Sequence, residues 1–133
     1  MVQPEPTIEG LDEIYPEALY YGRRISTSGT QPVYKKLLPY GEDTKLSLEP
    51  SQKLHDHSSE FQWGYGGSGP AQLALALLLD ATSEPQTALD FYQQFKWDKV
   101  ATWGEKWSIS KSEILIWLEK QKGRQLSHKL NRN

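Results

Sequence analysis

Cysteine is absent from the 133 residues, and methionine occurs once. Without thiols there is no disulfide framework, no thiolate zinc site and no cysteine nucleophile. Long apolar runs are missing too. The longest, Leu73 to Leu79, is far too short to span a bilayer, and the first residues lack the pattern of a secretory signal. A cytoplasmic protein without membrane contact is the expectation. A net charge of −2 argues against a chain wholly devoted to coating nucleic acid. Apolar residues make up only 37%, so aliphatic burial is limited.

Aromatics compensate, with five Trp and seven Tyr. Each fully buried ring contributes roughly 1.5–3 kcal/mol by area, and a chain of this length can bury one core. Charge is unevenly spread. Residues 1–17 hold Glu5, Glu9, Asp12, Glu13 and Glu17 with no Lys or Arg, whereas residues 119–133 hold Lys120, Lys122, Arg124, Lys129 and Arg132 against Glu119. The expected organisation is an acidic, proline-rich extension over 1–17, a single domain over 18–122 and a basic tail over 123–133. The two ends are either solvated and mutually attracting, or the basic tail touches phosphate.

Leu19 to Ile25 reads as a strand, followed by a turn around Gly29 and a second strand over Val33 to Leu38 that pairs with it as a hairpin. Leu46-Ser47-Leu48 alternates but is closed by Pro50, and residues 49–60 read as a polar loop. A helix over Ala71–Ala81 is apolar on every side and therefore central and buried. Pro70 suits its first turn, with Gly69 or Ser68 as N-cap. Ser83 and Gln86 have the capping-box pattern for a second helix carrying Ala88, Phe91 and Phe95. Trp97 to Thr102 predicts a strand, turning at Trp103–Lys106 to pair with Trp107-Ser108-Ile109. Ser110 with Glu113 caps a third helix whose inner face is Ile114, Trp117 and Leu118, and the chain frays after Gly123. The fold class is α+β: a small antiparallel sheet against about three helices.

The unusual element is "FQWGYGGSGP", with Gly64, Gly66, Gly67 and Gly69 between aromatics and the apolar helix. It lacks the Lys-Ser/Thr of a P-loop, the preceding buried strand of a dinucleotide fingerprint, and the G-x-S-x-G spacing of a nucleophile elbow. Two roles remain. The glycines fold Trp63 and Tyr65 back onto the helix, or the loop cradles an anion at a helix N-terminus. The residues for the second role are Tyr65, Gly66, Gly67, Ser68, Gly69 and Gln72, with Arg23 and Arg24 as cations. Gln72 in an apolar helix needs partners, and the glycine loop is the expected one.

Trp63 to Ala76, "WGYGGSGPAQLALA", resembles the signature of a family of small uncharacterised bacterial, archaeal and phage proteins carrying a domain of unknown function. Tyr21-Gly22-Arg23-Arg24, Phe91, Phe95, Lys96-Trp97, Val100, Trp107 and Ile109 are similar to its flanking pattern, so the resemblance covers roughly residues 20 to 118. It implies a cytoplasmic protein, often associated with mobile elements, with no established activity. It offers no catalytic residues to carry over.

His55-Asp56-His57 with Glu60 is the one metal-like cluster, and it reads as a solvated loop, so neither metal nor cofactor is expected. Trp97, Trp103 and Trp107 sit on the predicted hairpin, with Trp103 the one expected to be exposed. The leading expectation is a non-enzymatic interaction module that binds protein or nucleic acid through the basic tail or Trp103. The alternative is a small enzyme or anionic-ligand binder using Gly64–Gly69. No catalytic residue is assigned.

Overall fold

The computed structural model describes residues 17–131; the acidic extension before Glu17 lies outside them. Strands β1 (Ala18–Arg23), β2 (Val33–Leu37) and β3 (Asp43–Lys45) are followed by helices α1 (Glu49–Leu54), α2 (Ser68–Thr82) and α3 (Pro85–Asp98). A one-turn 3-10 helix (Val100–Thr102), strand β4 (Lys106–Ser110) and helix α4 (Lys111–Asn131) complete the order. The four strands form one antiparallel sheet in the order β3-β2-β1-β4. The fold is α+β, with four α-helices among the described residues rather than about three.

Strand β1 is the spine of the sheet. Its alternate residues Ala18, Tyr20 and Gly22 are buried, and Leu19, Tyr21 and Arg23 point the other way. Opposite them, Val33 and Lys35 of β2 and Trp107 and Ile109 of β4 share the inner face. Gly22 is required there, because a Cβ would meet the Trp107 indole at 2.6 Å. Trp107 in turn stacks on Trp103 with ring centroids 4.0 Å apart and meets Trp63 edge-on.

Helix α2 fills the space under the sheet. Leu73, Ala74, Leu75, Leu77 and Leu78 are fully enclosed, as expected for a helix with no polar side. Its last turn is tied to the sheet through one carboxylate. Asp80 Oδ2 accepts from the Tyr20 hydroxyl at 2.6 Å and pairs with Lys35 Nζ at 2.7 Å. Burial, then this hydrogen bond, pushes the Tyr20 phenol far above its ordinary value.

Several expectations require correction. The polar stretch 49–60 contains α1, with Pro50 in its first turn, because proline opens a helix as readily as it closes a strand. Trp97–Thr102 is not a strand. Helix α3 runs to Asp98 and the 3-10 turn delivers Val100 into the core, so β4 takes β1 as its partner. A short apolar run does not reveal its period. Ser83 is a left-handed residue ending α2 (φ 55°), and Glu84 is the N-cap of α3, so the Ser83–Gln86 box does not form. The Ser110–Glu113 box does form, with Glu113 N donating to Ser110 Oγ at 3.0 Å and Ser110 N to Glu113 Oε1 at 3.2 Å. The tail does not fray at Gly123, since α4 continues to Asn131, with side chains exposed from Lys122 to Leu130. Trp97, not Trp103, is the exposed indole.

Candidate functional site

The glycine segment is held from both sides. Gly64 has φ +88° and is the segment's one left-handed residue; Gly67, the N-cap of α2, is extended (φ −102°). The Trp97 ring lies directly on Gly66, the Tyr65 ring folds back on Gly67, and Gly69 abuts the Gln62 side chain. A Cβ at any of these three positions would collide with the neighbour named. Ser68 is exposed at the start of the helix. Arg24 fixes the entry to the segment. It donates to Trp63 O at 2.8 Å and Gln62 Oε1 at 3.1 Å, lies over the Trp63 ring, and approaches Glu105 at 3.7 Å.

Gln72 turns away from the glycines. Its Oε1 accepts from the backbone N–H of His57 (2.7 Å) and Ser58 (3.0 Å), while Nε2 donates to Ser51 Oγ (2.9 Å) and His55 O (3.2 Å). It therefore shapes the first residues of the α1–α2 connection, His55 to Ser58, rather than its glycine end. That loop stacks His55 on His57 with centroids 3.8 Å apart and sets His57 Nε2 2.5 Å from the Tyr92 hydroxyl. Burial, with His55 and Lys96 nearby, holds His57 below its usual value. Among the described residues no group of three or more His, Asp or Glu side chains converges as a metal set.

A cleft of about 550 Å³ opens beside Asp80, lined by Lys35, Thr44, Ser47, Ser51, Leu79 and Ser83 among others. Its two central charges satisfy each other through the Lys35–Asp80 pair.

The outer sheet face is different in kind, because none of the described helices covers it. Tyr21 sits opposite Tyr34, and their rings stack 5.6 Å apart at 25°. Along the same row, Lys45 lies beyond Tyr34 and Ser108 beyond Tyr21. The next row reads Asp43, Lys36, Leu19 and Ser110, and a third sets Arg23 directly opposite Lys106. The face thus presents two aromatic rings on its central strands with Arg23, Lys36, Lys45 and Lys106 around them and one carboxylate, Asp43. Among the described residues, none of these four cations lies within ion-pair distance of a carboxylate. Like charges directly opposite on neighbouring strands destabilise a sheet, so the Arg23–Lys106 pair carries a cost with no evident structural return. Hydrogen bonding to Asp43 pushes the Tyr21 phenol up to about 12, so it is neutral at physiological pH.

Of the residues singled out from sequence, Tyr65, Gly66, Gly67, Ser68 and Gly69 form one loop, and Arg24 grips its entrance. Gln72 and Arg23 lie elsewhere, Arg23 on the sheet face. Tyr34, Lys36, Lys45 and Lys106 were not foreseen. The signal that could have found them is Tyr-x-Arg in β1 repeated as Tyr-x-Lys in β2, two period-two pairs that fall on one face once the hairpin closes.

A family model described as "Family of unknown function (DUF6166)" matches residues 20–120, and the chain belongs to that family. No curated protein and no solved structure matches it.

Proposed function

We propose that this member of the family is a non-enzymatic binding module whose open sheet face takes single-stranded nucleic acid. The observation that carries this is the stacked Tyr21–Tyr34 pair ringed by Arg23, Lys36, Lys45 and Lys106. Unpaired bases stack on aromatic side chains regardless of sequence, and cations beside the rings follow the phosphates. A phosphate placed between Arg23 and Lys106 would relieve their mutual repulsion, which makes an anionic strand the natural complement of the third row. The net charge of −2 does not conflict with this, because four cations share this face with a single carboxylate.

The test is fluorescence anisotropy with labelled oligo-dT and oligo-U of about 12 nucleotides. Tyr21→Ala and Tyr34→Ala should each weaken binding by about 1–3 kcal/mol, or roughly 5- to 150-fold. Arg23→Ala with Lys106→Ala should flatten the salt dependence by about 0.7 per lost phosphate contact. No binding by the parent chain at about 50 mM salt would remove this function. A phosphate-dependent thermal stabilisation abolished by Ser68→Ala, with no oligonucleotide binding, would assign anion recognition to Gly64–Gly69 instead.

A further inference from the structure

Helix α4 has an inner and an outer side. Ile114, Trp117, Leu118 and Gln121 are buried against the domain. From Lys122 to Leu130 every side chain is exposed. Helices in proteins are stabilised chiefly by packing, and this stretch has no buried side chain among the described residues. On the outer side Ile116, Glu119, Gly123, Leu126 and Leu130 recur at alternating intervals of three and four. That is the spacing of a coiled-coil seam, and it keeps the five on one face. Ile116, Leu126 and Leu130 are 56%, 60% and 65% exposed. Nothing lies within 4 Å of where a Gly123 Cβ would be, so the seam has an open notch at its middle. The positions that border such a seam hold Lys120 and Ser127 on one side and Leu115, Lys122 and Lys129 on the other, with no acid among them.

We propose that this seam pairs with an acidic amphipathic helix of another protein. Bordering charges select the partner of a coiled coil, and here they are lysines, so the complement is a helix with glutamates beside its apolar stripe. Glu119 asks for a cation opposite it, and a polar residue within a seam fixes register. The Gly123 notch leaves room for a large partner side chain. A second copy of this chain is opposed in either direction. Parallel pairing would set Glu119 on Glu119 and Gly123 on Gly123, a buried repulsion beside a void. Antiparallel pairing would bring the Lys122–Lys129 border against itself. A lipid surface fits less well, because the stripe carries a carboxylate and no aromatic ring. The pairing uses none of the sheet-face residues and stands or falls without the tyrosines.

The test uses two labelled synthetic helices of about 21 residues, each with a leucine seam, one bordered by glutamates and the other by lysines. Fluorescence anisotropy with the full chain should show the glutamate helix binding at least roughly tenfold more tightly than the lysine helix. Leu126→Asp should weaken that binding by roughly tenfold or more while leaving the chain folded, since the residue is exposed. The combined Lys120→Glu, Lys122→Glu and Lys129→Glu variant should reverse the preference and take the lysine helix. Tyr21→Ala and Tyr34→Ala should change nothing. No binding of either helix by the parent would overturn the proposal, and so would equal binding of both. A parent chain that self-associates in sedimentation and becomes monomeric on Leu126→Asp would overturn it in favour of a second copy. Binding to phosphatidylserine vesicles that is lost on Leu126→Asp, without peptide binding, would overturn it in favour of a lipid surface.

Discussion

Replacing Gln72 by Leu keeps the volume of a fully buried side chain and deletes four hydrogen bonds at once. The cost follows from what each partner does afterwards. The His57 and Ser58 amides are half-buried and lose their only acceptor, at about 1 kcal/mol each, the low end for a stranded donor. Ser51 is fully buried but its Oγ keeps its bond to Leu48 O, and His55 is an exposed residue, so these two add little. The expected loss is about 2–3 kcal/mol, a fall in Tm of about 10 °C for a chain of this size. Urea unfolding followed by tryptophan fluorescence measures the total. Amide exchange at His57 and Ser58 reads the mechanism, because Gln72→Glu retains the acceptor and should leave those two amides protected even as global stability drops. Stability within about 0.5 kcal/mol of the parent, with exchange unchanged at both amides, would refute this account of the loop.

Trp107 Nε1 is buried with no hydrogen-bond partner among the described residues, whereas Trp63 Nε1 donates to Gly104 O at 2.7 Å. Trp107→Phe should therefore be gentler than Trp63→Phe by about 1 kcal/mol or more in chemical denaturation, and equal losses would contradict it. His57 disfavours its proton in the native state, so below its ordinary value of 6.5 the unfolded chain binds more protons. Its contribution is complete above about pH 6.5 and is lost as pH falls towards the depressed native value. Unfolding free energies at neutral and mildly acidic pH should show this slope, and His57→Gln should reduce it; a slope untouched by the substitution would place the titration elsewhere.

How legible the molecule was depended on whether a residue's role was local. The Ser110–Glu113 box, the central helix and the β1–β2 hairpin are set by spacing over a few positions, and all three form. The run from Trp97 to Thr102 was misread because Trp97 and Val100 suit a strand or a helix equally, and the deciding fact is distant. β1 already has β2 on one side and receives β4 on the other. Gln72 was recognised as a buried amide needing partners, but its partners come from a loop about fifteen residues earlier, which helical periodicity does not reveal. The tyrosine face was hidden for the same reason. Tyr21 and Tyr34 meet only through strand register, so neither segment alone announces the pair.

The enclosure of α2 from Gly69 to Leu78 has a consequence for how the protein comes into being. A helix with no side suited to water gains little by forming alone, and its leucines remain adhesive until something covers them. Residues 68–82 are synthesised before β4 and α4, and β4 must then find a strand synthesised almost ninety residues earlier. The closing step is therefore a long-range one, slowed by loop entropy and reached late. Until then the nascent chain presents its greasiest segment to its surroundings. Conditions that slow completion of the sheet should lower the yield of folded protein while leaving the finished molecule's stability unchanged.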